Sequence, residues 1–243
     1  MSTNQIPQIP GLNLESFLKF VMDPKDTQEI FKIQQTLLQA PNRAEMIQWS
    51  YKAVTENPDF MALFEAKHFP ALPSMEELGA MPEGSLGRAL RKHLLDNQIK
   101  LNFEGLNIDV FRTALETPLG FLGVRGIVHH DTYHAILGLT TREVDEFALF
   151  AFQLAQFHSS YHMISLATGL LHAAFYNPKT IPEFMQKITD FYSLGQKAAF
   201  FPGVKYEDYW ETPLSEVQKM LRVPVISSSL RPESPEAATP GWK

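Results

Sequence analysis

Apolar residues recur at intervals of three and four positions along most of the chain, which is the spacing of amphipathic helices. Between Leu12 and Met22 they stand at positions 14, 17, 18 and 21. Similar stripes, separated by Pro, Gly, Asn or Ser, predict further helices at 27–39, 42–55, 86–97, 108–116, 181–201 and 213–221. Only 101–109 is ambiguous between a short extended piece and a loop. The pattern therefore predicts an all-α fold.

The stretch from Phe147 to Pro178 contains no Asp, Glu, Lys or Arg in 32 residues. Its length would suit a membrane-spanning helix, but its eight Gln, His and Ser side chains would be poorly tolerated by lipid. We therefore favour one long central helix that the other helices bury. Its apolar face, at helical spacing from Glu146, makes three residues candidates for binding a lipid, although core packing is their commoner role: Phe150, Leu154 and Phe157.

The length of 243 residues and the hydrophobic content of 44% suffice for one sizeable core, so we expect a single helical domain over 12–223. Residues 1–11 are polar and interrupted by proline, which predicts a flexible N-terminus. Residues 224–243 are rich in Ser and Pro and predict a disordered tail. The N-terminus shows neither the apolar segment of a signal peptide nor an Arg-rich transit pattern, which favours a cytoplasmic protein.

The charge and the cysteine content narrow the classes of partner and site. A net charge of −6 argues against nucleic acid as a partner, because phosphate binding needs a basic surface. The absence of cysteine excludes disulfides and thiolate metal sites, and it fits a reducing compartment.

His130 and His134 are the strongest candidates for metal ligands. If 125–138 is one helix, the two histidines stand one turn apart on the same face, and both imidazoles can reach one ion. Asp131 adds an oxygen donor beside them, and Gly138 suits the end of that helix. The set of two histidines and carboxylates suits a divalent ion such as Zn²⁺, Fe²⁺ or Mn²⁺.

Glu146 is the candidate for a further ligand. Thr140 and Glu143 have the spacing of a capping box, so a second helix is expected to begin there. Glu146 then lies within two turns of that start, and a tight connection would let its carboxylate turn back towards the histidines.

Several alternatives to this metal site stay open on the sequence. Two histidines at this spacing are often ordinary helix residues, and His129 with Tyr133 could share the relevant face instead. His158 and His162 form a second pair at the same spacing, but no carboxylate neighbours them, so we expect core or pocket polar groups.

Ser85 and Arg88 make a weaker candidate for an anion site. Ser85 can cap the helix that follows, and a helix N-terminus with a nearby guanidinium attracts phosphate or carboxylate groups. In most such loops the N–H groups of the helix N-terminus bind only the side chain that caps the helix.

Four short motifs occur in order along residues 23–221: Asp23-Pro24-x-x-Thr27, Pro82-Glu83-Gly84-Ser85-Leu86-Gly87, His130-Asp131-x-x-His134 with Glu146, and Tyr206-x-x-x-Trp210-Glu211. Together they resemble the coenzyme Q biosynthesis protein four family. The motif of the histidine pair is similar to the family's H-D-x-x-H-(x)11-E signature. The lack of a targeting segment fits a bacterial-type or processed member.

The resemblance implies an all-helical, often dimeric protein that binds a divalent metal, zinc in first place and Mg²⁺, Mn²⁺ or Fe²⁺ otherwise. It implies the ligands His130, Asp131, His134 and Glu146. It also implies peripheral attachment to the inner face of a membrane, an isoprenoid lipid or a prenylated aromatic acid as ligand, and other quinone-biosynthesis proteins as partners. The family is linked to removal of the ring carboxyl group at C1, which makes a metal-dependent decarboxylase, a lyase, the enzyme to expect.

The chain departs from the family pattern immediately before the H-D motif, where Ile127, Val128 and His129 replace polar and acidic residues. The reaction is therefore less firmly implied than the metal. Two alternatives to a decarboxylase are a non-catalytic isoprenoid-binding scaffold for other quinone-biosynthesis proteins and a metal-dependent phosphohydrolase, since adjacent His and Asp also occur there.

Overall fold

The computed structural model describes residues 12–24, 28–29, 32–33, 39–68, 71–99 and 115–225. Within these ranges the chain forms eleven α-helices and no strand beyond one isolated bridge between Ser85 and Pro213, which confirms the all-α prediction. The helices are α1 (Leu14–Met22), α2 (Arg43–Thr55), α3 (Pro58–Glu65), α4 (Met75–Ala80), α5 (Leu86–Asp96), α6 (Pro118–Val128), α7 (His130–Leu137), α8 (Glu143–Phe157), α9 (Ser160–Tyr176), α10 (Ile181–Lys197) and α11 (Leu214–Met220).

Two of these helices, α3 and α4, were not expected from the sequence. Asn57-Pro58 reads as a chain break, yet Asn57 caps α3 through its side chain and Pro58 occupies the first turn, where a missing N–H costs nothing. Ser74 and Glu77 form a capping box at the start of α4 inside the proline-rich stretch. Of the helix predicted at 27–39, residues 28–29 and 32–33 are described and are helical. Most of the helix predicted at 108–116, residues 1–11 and nearly all of the predicted tail lie outside the described residues.

The chain divides into two compact units, and each is built from two separate stretches of sequence. The first unit combines Met1–Ala53 with Glu143–Gln196, and the second combines Val54–Arg142 with Lys197–Lys243. The first unit therefore contains α1, α8 and α9, and the second contains α3 to α7 and α11.

The core of the first unit lies where α8 packs against α9. Gly169 of α9 permits this approach, because a Cβ there would lie 2.5 Å from two ring carbons of Phe147. The buried residues of this core come from α8, α9 and α10: Val144, Phe147, Ala151, Leu154, Leu166, Ala173 and Phe184.

The prediction of one long charge-free helix was wrong, because the helix is broken at His158. There α8 ends at Phe157 and α9 begins at Ser160, and His158 between them has a φ of 52°. A positive φ at a residue with a side chain interrupts the helical hydrogen-bond ladder. The polar run His158-Ser159-Ser160 supplies a turn, and the carbonyl of His158 accepts a hydrogen bond from Ser50 Oγ at 3.3 Å. Among the helices described, none combines the length and the apolar character needed to cross a membrane.

In the second unit, α5 packs against α7 and α4. Leu86, Leu90 and Leu94 recur every four residues on α5 and are fully buried, so they form its apolar face. The N-terminus of α5 is closed by the chain itself, because Leu86 N–H donates to Thr212 O at 2.9 Å and Gly87 N–H donates to Trp210 O at 2.8 Å.

The segment after α10 belongs to the same unit and is held there by buried polar contacts. Arg125 is fully buried and donates from Nε to Pro202 O at 2.8 Å and from Nη2 to Val204 O. Gln218 of α11 donates from Nε2 to Ile136 O at 2.8 Å. These bonds fix the backbone of 197–225 against α6 and α7.

Candidate metal site

The segment that carries the histidine pair is two helices, so the prediction of one helix over 125–138 was wrong. His129 separates α6 from α7 with φ −98° and ψ 12°, although its N–H still donates to Arg125 O. The two helices have different neighbours in the second unit: α6 contacts α3 and the 3-10 turn Phe201–Gly203, whereas α7 contacts α5 and α11. Gly138 ends α7 in the left-handed conformation with φ 68°, as expected.

His130 and His134 lie one turn apart on α7, as predicted, with their Nε2 atoms 3.2 Å apart. His134 is fully buried and His130 is half-buried. Two imidazole nitrogens that bind one Zn²⁺ tetrahedrally, at about 2.0–2.1 Å each, would be separated by about 3.3 Å. The observed separation therefore fits a shared cation, and it equally fits an N–H···N hydrogen bond between a donor ring and an acceptor ring.

Asp131 adds a carboxylate beside this pair, and its charged form is favoured. Burial alone would raise the pKa of Asp131. The contact with His93 and the positive charge available on His130 and His134 outweigh burial, so the pKa of Asp131 is lowered. A metal ligand must be deprotonated, and the two histidine nitrogens fit a divalent cation. Asp131 as its oxygen ligand stays a prediction of the sequence motif.

The alternative face of α7, with His129 and Tyr133, points to a different environment. Both rings lie against Tyr206, with centroid distances of 4.9 Å and 5.9 Å. Burial, and after it the charges of Arg125 and His68, lower the pKa of His129 well below the usual histidine value. His129 is thus a neutral buried residue, which does not share the face of His130 and His134.

Glu146 stands in the first turn of α8, in the first unit, and is half-buried. The same turn contains Glu143 and Asp145, so three carboxylates surround the positive end of this helix dipole. Asp145 is engaged by Lys187, which donates to its Oδ1. Glu146 as a ligand stays a prediction of the sequence motif.

The predicted anion site at Ser85 and Arg88 is occupied by contacts within the protein. Ser85 is buried, and its Oγ accepts from Arg88 N–H at 3.3 Å. The Arg88 guanidinium donates to Glu83 Oε2 at 2.7 Å and to Gly79 O at 2.8 Å. An incoming anion would have to displace Glu83, so the prediction gains no support from these contacts.

The predicted lipid-contacting residues lie in the first unit. Leu154 belongs to its buried core, Phe157 is buried, and Phe150 packs against that core from a half-buried position. The rival histidine pair is separated by the break between α8 and α9. His158 is exposed, whereas His162 is buried with its Nε2 3.1 Å from Gln153 Oε1, as expected for a polar group in a core.

One residue of the candidate site was missed by the sequence analysis. His93 of α5 is 4% exposed, with Nε2 3.5 Å from Asp131 Oδ1. Its ring stacks on that of His134 at a centroid distance of 5.2 Å and an interplanar angle of 21°. The signal was present, because His93 continues the apolar stripe of Leu86, Leu90 and Leu94 as its one titratable member.

Comparisons of the sequence and of the fold with known proteins identify similar proteins. The sequence profile of the coenzyme Q (ubiquinone) biosynthesis protein Coq4 family matches residues 71–227. The mitochondrial ubiquinone biosynthesis protein COQ4 homolog of Nematostella vectensis is 24% identical over 155 residues, which cover 61% of this chain and 70% of the relative. The crystal structure of a candidate ubiquinone biosynthesis protein from Nostoc punctiforme has a similar fold, with a TM-score of 0.69 and 22% identity over 87% of this chain and 96% of that one. Since the profile matches well over half of the chain, including the helix with His130, Asp131 and His134, the chain belongs to the Coq4 family of coenzyme Q biosynthesis proteins.

Proposed function

We propose that this protein acts in isoprenoid quinone biosynthesis and depends on a divalent metal, with zinc as the first choice. The observation that supports it best is the 3.2 Å separation of the Nε2 atoms of His130 and His134, with the ionised Asp131 in the same turn. Glu146 completes the ligand set through the spacing of the sequence motif.

The reaction that we propose is decarboxylation of a prenylated hydroxybenzoate at C1. The bond between C1 and the carboxyl carbon breaks, its electron pair stays on the ring, and a proton from solvent replaces the departing carbon dioxide. A bound divalent cation would act as a Lewis acid that stabilises the negative charge developing on the substrate. His130, Asp131 and His134 would hold that cation at the N-terminal end of α7.

Elemental analysis of the purified protein and of His134→Ala tests the metal. We expect about one equivalent of a divalent ion in the wild type and its loss in the variant, because removing one imidazole weakens binding of the ion strongly. His158→Ala is the matched control, since His158 is exposed and lies outside the site. A wild type that takes up no metal, even after reconstitution, would contradict the proposal.

Carbon dioxide release from a carboxyl-labelled prenylated hydroxybenzoate tests the reaction. We expect turnover by the metal-loaded wild type and its loss in Asp131→Ala. Metal-loaded protein that releases no label from any such acid would refute the decarboxylase. Phosphate release from simple esters would instead identify a phosphohydrolase.

A non-catalytic isoprenoid-binding scaffold is the second candidate, and the outer face of α9 favours it. Apolar residues line this charge-free helix on its exposed side, and Phe175 is 74% exposed. The exposed apolar residues of α9 are Met163, Ala167, Leu170, Leu171, Ala174, Phe175 and Tyr176. Such a face suits the isoprenoid tail of a ligand or peripheral contact with a membrane surface.

The same preparations discriminate between the two candidates. Isoprenoid lipid that co-purifies equally with the wild type and with His134→Ala, without label release, would favour the scaffold. The homodimer and the partnership with other quinone-biosynthesis proteins remain part of this proposal, and sedimentation of the purified protein tests the dimer.

A further inference from the structure

His93 is placed so that it contacts two of the proposed metal ligands at once. It comes from α5, whereas Asp131 and His134 come from α7, and these helices are packed together in the second unit. Its Nε2 faces Asp131 Oδ1 at 3.5 Å, and its ring covers one face of the His134 ring at 21° from parallel. The side chain is 4% exposed, so this histidine is held among buried groups.

A chain of hydrogen bonds determines which nitrogen of His93 carries the proton. Asn97 accepts through Oδ1 from Thr141 Oγ1 at 2.9 Å and from Thr141 N at 3.4 Å. The amide nitrogen of Asn97 must therefore face the other way, where it donates to His93 O at 2.8 Å and lies 3.4 Å from His93 Nδ1. Because this nitrogen is a donor, Nδ1 of a neutral His93 is the acceptor and Nε2 carries the hydrogen. This Nε2 lies 3.5 Å from Asp131 Oδ1, a close electrostatic contact that is longer than a regular hydrogen bond.

The stacking argues against His93 as a further ligand. Its ring is nearly parallel to that of His134, with the centroids 5.2 Å apart, which is the geometry of a stacking contact between the two rings. The Nε2 atoms of His130 and His134 do converge, at 3.2 Å. His93 thus contacts Asp131 and His134 from the neighbouring helix α5.

We propose that His93, oriented by Asn97, is a positioning residue that fixes the Asp131 carboxylate and the His134 ring for the cation. The inference rests on the proposed metal site. One oxygen of Asp131 faces His93, which leaves the second oxygen to the ion, and the stacked ring limits rotation of the His134 imidazole. Groups that orient metal ligands in this way contribute about 10- to 100-fold to metal affinity.

Two substitutions separate the contributions of the ring and of its donor. His93→Phe keeps an aromatic ring on His134 and removes the donor towards Asp131, whereas His93→Gln keeps a donor and removes the ring. Asn97→Leu leaves His93 in place and removes the group that selects its tautomer. His172→Phe is the matched control, because His172 is also buried, stacks on Tyr176 at 5.1 Å and faces a carboxylate that is not a proposed ligand, Glu143 Oε2 at 3.9 Å.

The experiment measures zinc affinity by competition with a chelator, and the absorption spectrum of the cobalt-loaded protein. Thermal unfolding of each metal-free variant is measured beside them. We expect His93→Phe to lose about 10- to 100-fold in affinity with an altered cobalt spectrum, Asn97→Leu to lose less, and His172→Phe to bind like the wild type. A smaller loss in His93→Gln than in His93→Phe would show that the donor matters more than the ring.

Three outcomes would overturn the inference. A His93→Phe protein that binds zinc as tightly as the wild type, with the same cobalt spectrum, refutes the positioning role alone. A loss of affinity that only parallels lower stability of the metal-free variants, with His172→Phe affected equally, assigns His93 to packing. A wild type that binds neither ion refutes the proposed metal site and this role with it.

Discussion

Burial raises the pKa of the hydroxyl group in three tyrosines of the described chain, of which two are fully buried and Tyr161 is half-buried. They are Tyr133, Tyr161 and Tyr206, and for Tyr161 the pKa rises to about 12. Tyr161 packs in the first unit between Phe150 and His162, with ring centroids 6.3 Å and 5.0 Å away. Its ionised form is therefore disfavoured in the folded protein relative to the unfolded chain, where a tyrosine titrates near pH 10.

This difference makes the stability depend on alkaline pH. Between about pH 10 and pH 12 the unfolded chain loses the Tyr161 proton and the folded protein keeps it, so the contribution to stability is present below pH 10 and decreases as the pH rises towards 12. We expect Tyr161→Phe to remove this part of the decrease. Urea unfolding at intervals from pH 9 to 12 measures it, and parallel profiles for both proteins would contradict the expectation.

The residues of the candidate site differ in how far the sequence predicts them. His130 and His134 stand one turn apart on one helix, so helical periodicity alone brings them together, and Asp131 lies in the same turn. His93 meets Asp131 only because α5 packs on α7, across 38 positions of sequence. That contact is tertiary, and no local pattern contains it. The buried environment that keeps His129 neutral also depends on tertiary contacts, since the rings of Tyr206 and Trp210 lie against its imidazole.

At the level of helices, local sequence signals predicted which segments are helical better than they predicted where each helix begins and ends. The ends at Gly138 and near Leu221 agree with their capping and apolar signals, whereas the break at His158 was missed. An apolar stripe continues across that break, because α8 and α9 both contribute to one core. Periodicity therefore could not distinguish one helix of 32 residues from two helices joined by a turn.

Gly169 gives a test of the contact between α8 and α9. A Cβ at this position would lie 2.5 Å from Phe147 ring carbons, and that ring is itself packed against Phe184 and Phe150. We expect Gly169→Ala to lower the free energy of unfolding by about 1–3 kcal/mol, because the ring cannot move without disturbing the core. Chemical denaturation of the purified variant measures this change.

Gly123 of α6 is the matched control for the same substitution in a helix interior. It is exposed, and a Cβ there would meet nothing within 4 Å. Gly123→Ala is expected to raise stability by about 0.5–1 kcal/mol, through reduced backbone entropy of the unfolded chain. Equal effects of the two substitutions would mean that the contact with Phe147 does not limit the packing.

For the molecule as a whole, no local pattern of the sequence indicates that each unit joins two distant stretches of chain. In the second unit this junction depends on Arg125, whose buried guanidinium donates to the carbonyls of Pro202 and Val204. Periodicity predicted the apolar stripes of the helices, but not the segments against which they pack. Those segments lie about 80 residues away along the sequence.

Arg125→Met tests this junction. The substitution keeps an unbranched apolar stem and removes both hydrogen bonds, so two carbonyls lose a charged donor. We expect a loss of about 3 kcal/mol or more in the free energy of unfolding, measured by urea denaturation. Arg142→Met, at an exposed arginine of the same unit, should change stability by less than about 1 kcal/mol, because the interactions of an exposed charge contribute little. Similar losses for both variants would assign the effect to net charge.

The interleaving of the two units also has a consequence for synthesis on the ribosome. Residues 54–142 leave the ribosome before the stretch that completes their unit, 197–225, has been translated. At a rate of about 5–20 residues per second, they wait several seconds without the carbonyls of Pro202 and Val204, which are the acceptors for the buried guanidinium of Arg125. Residues 12–53 likewise wait for 143–196. Nascent chains of this protein are therefore expected to need chaperone protection until translation is nearly finished.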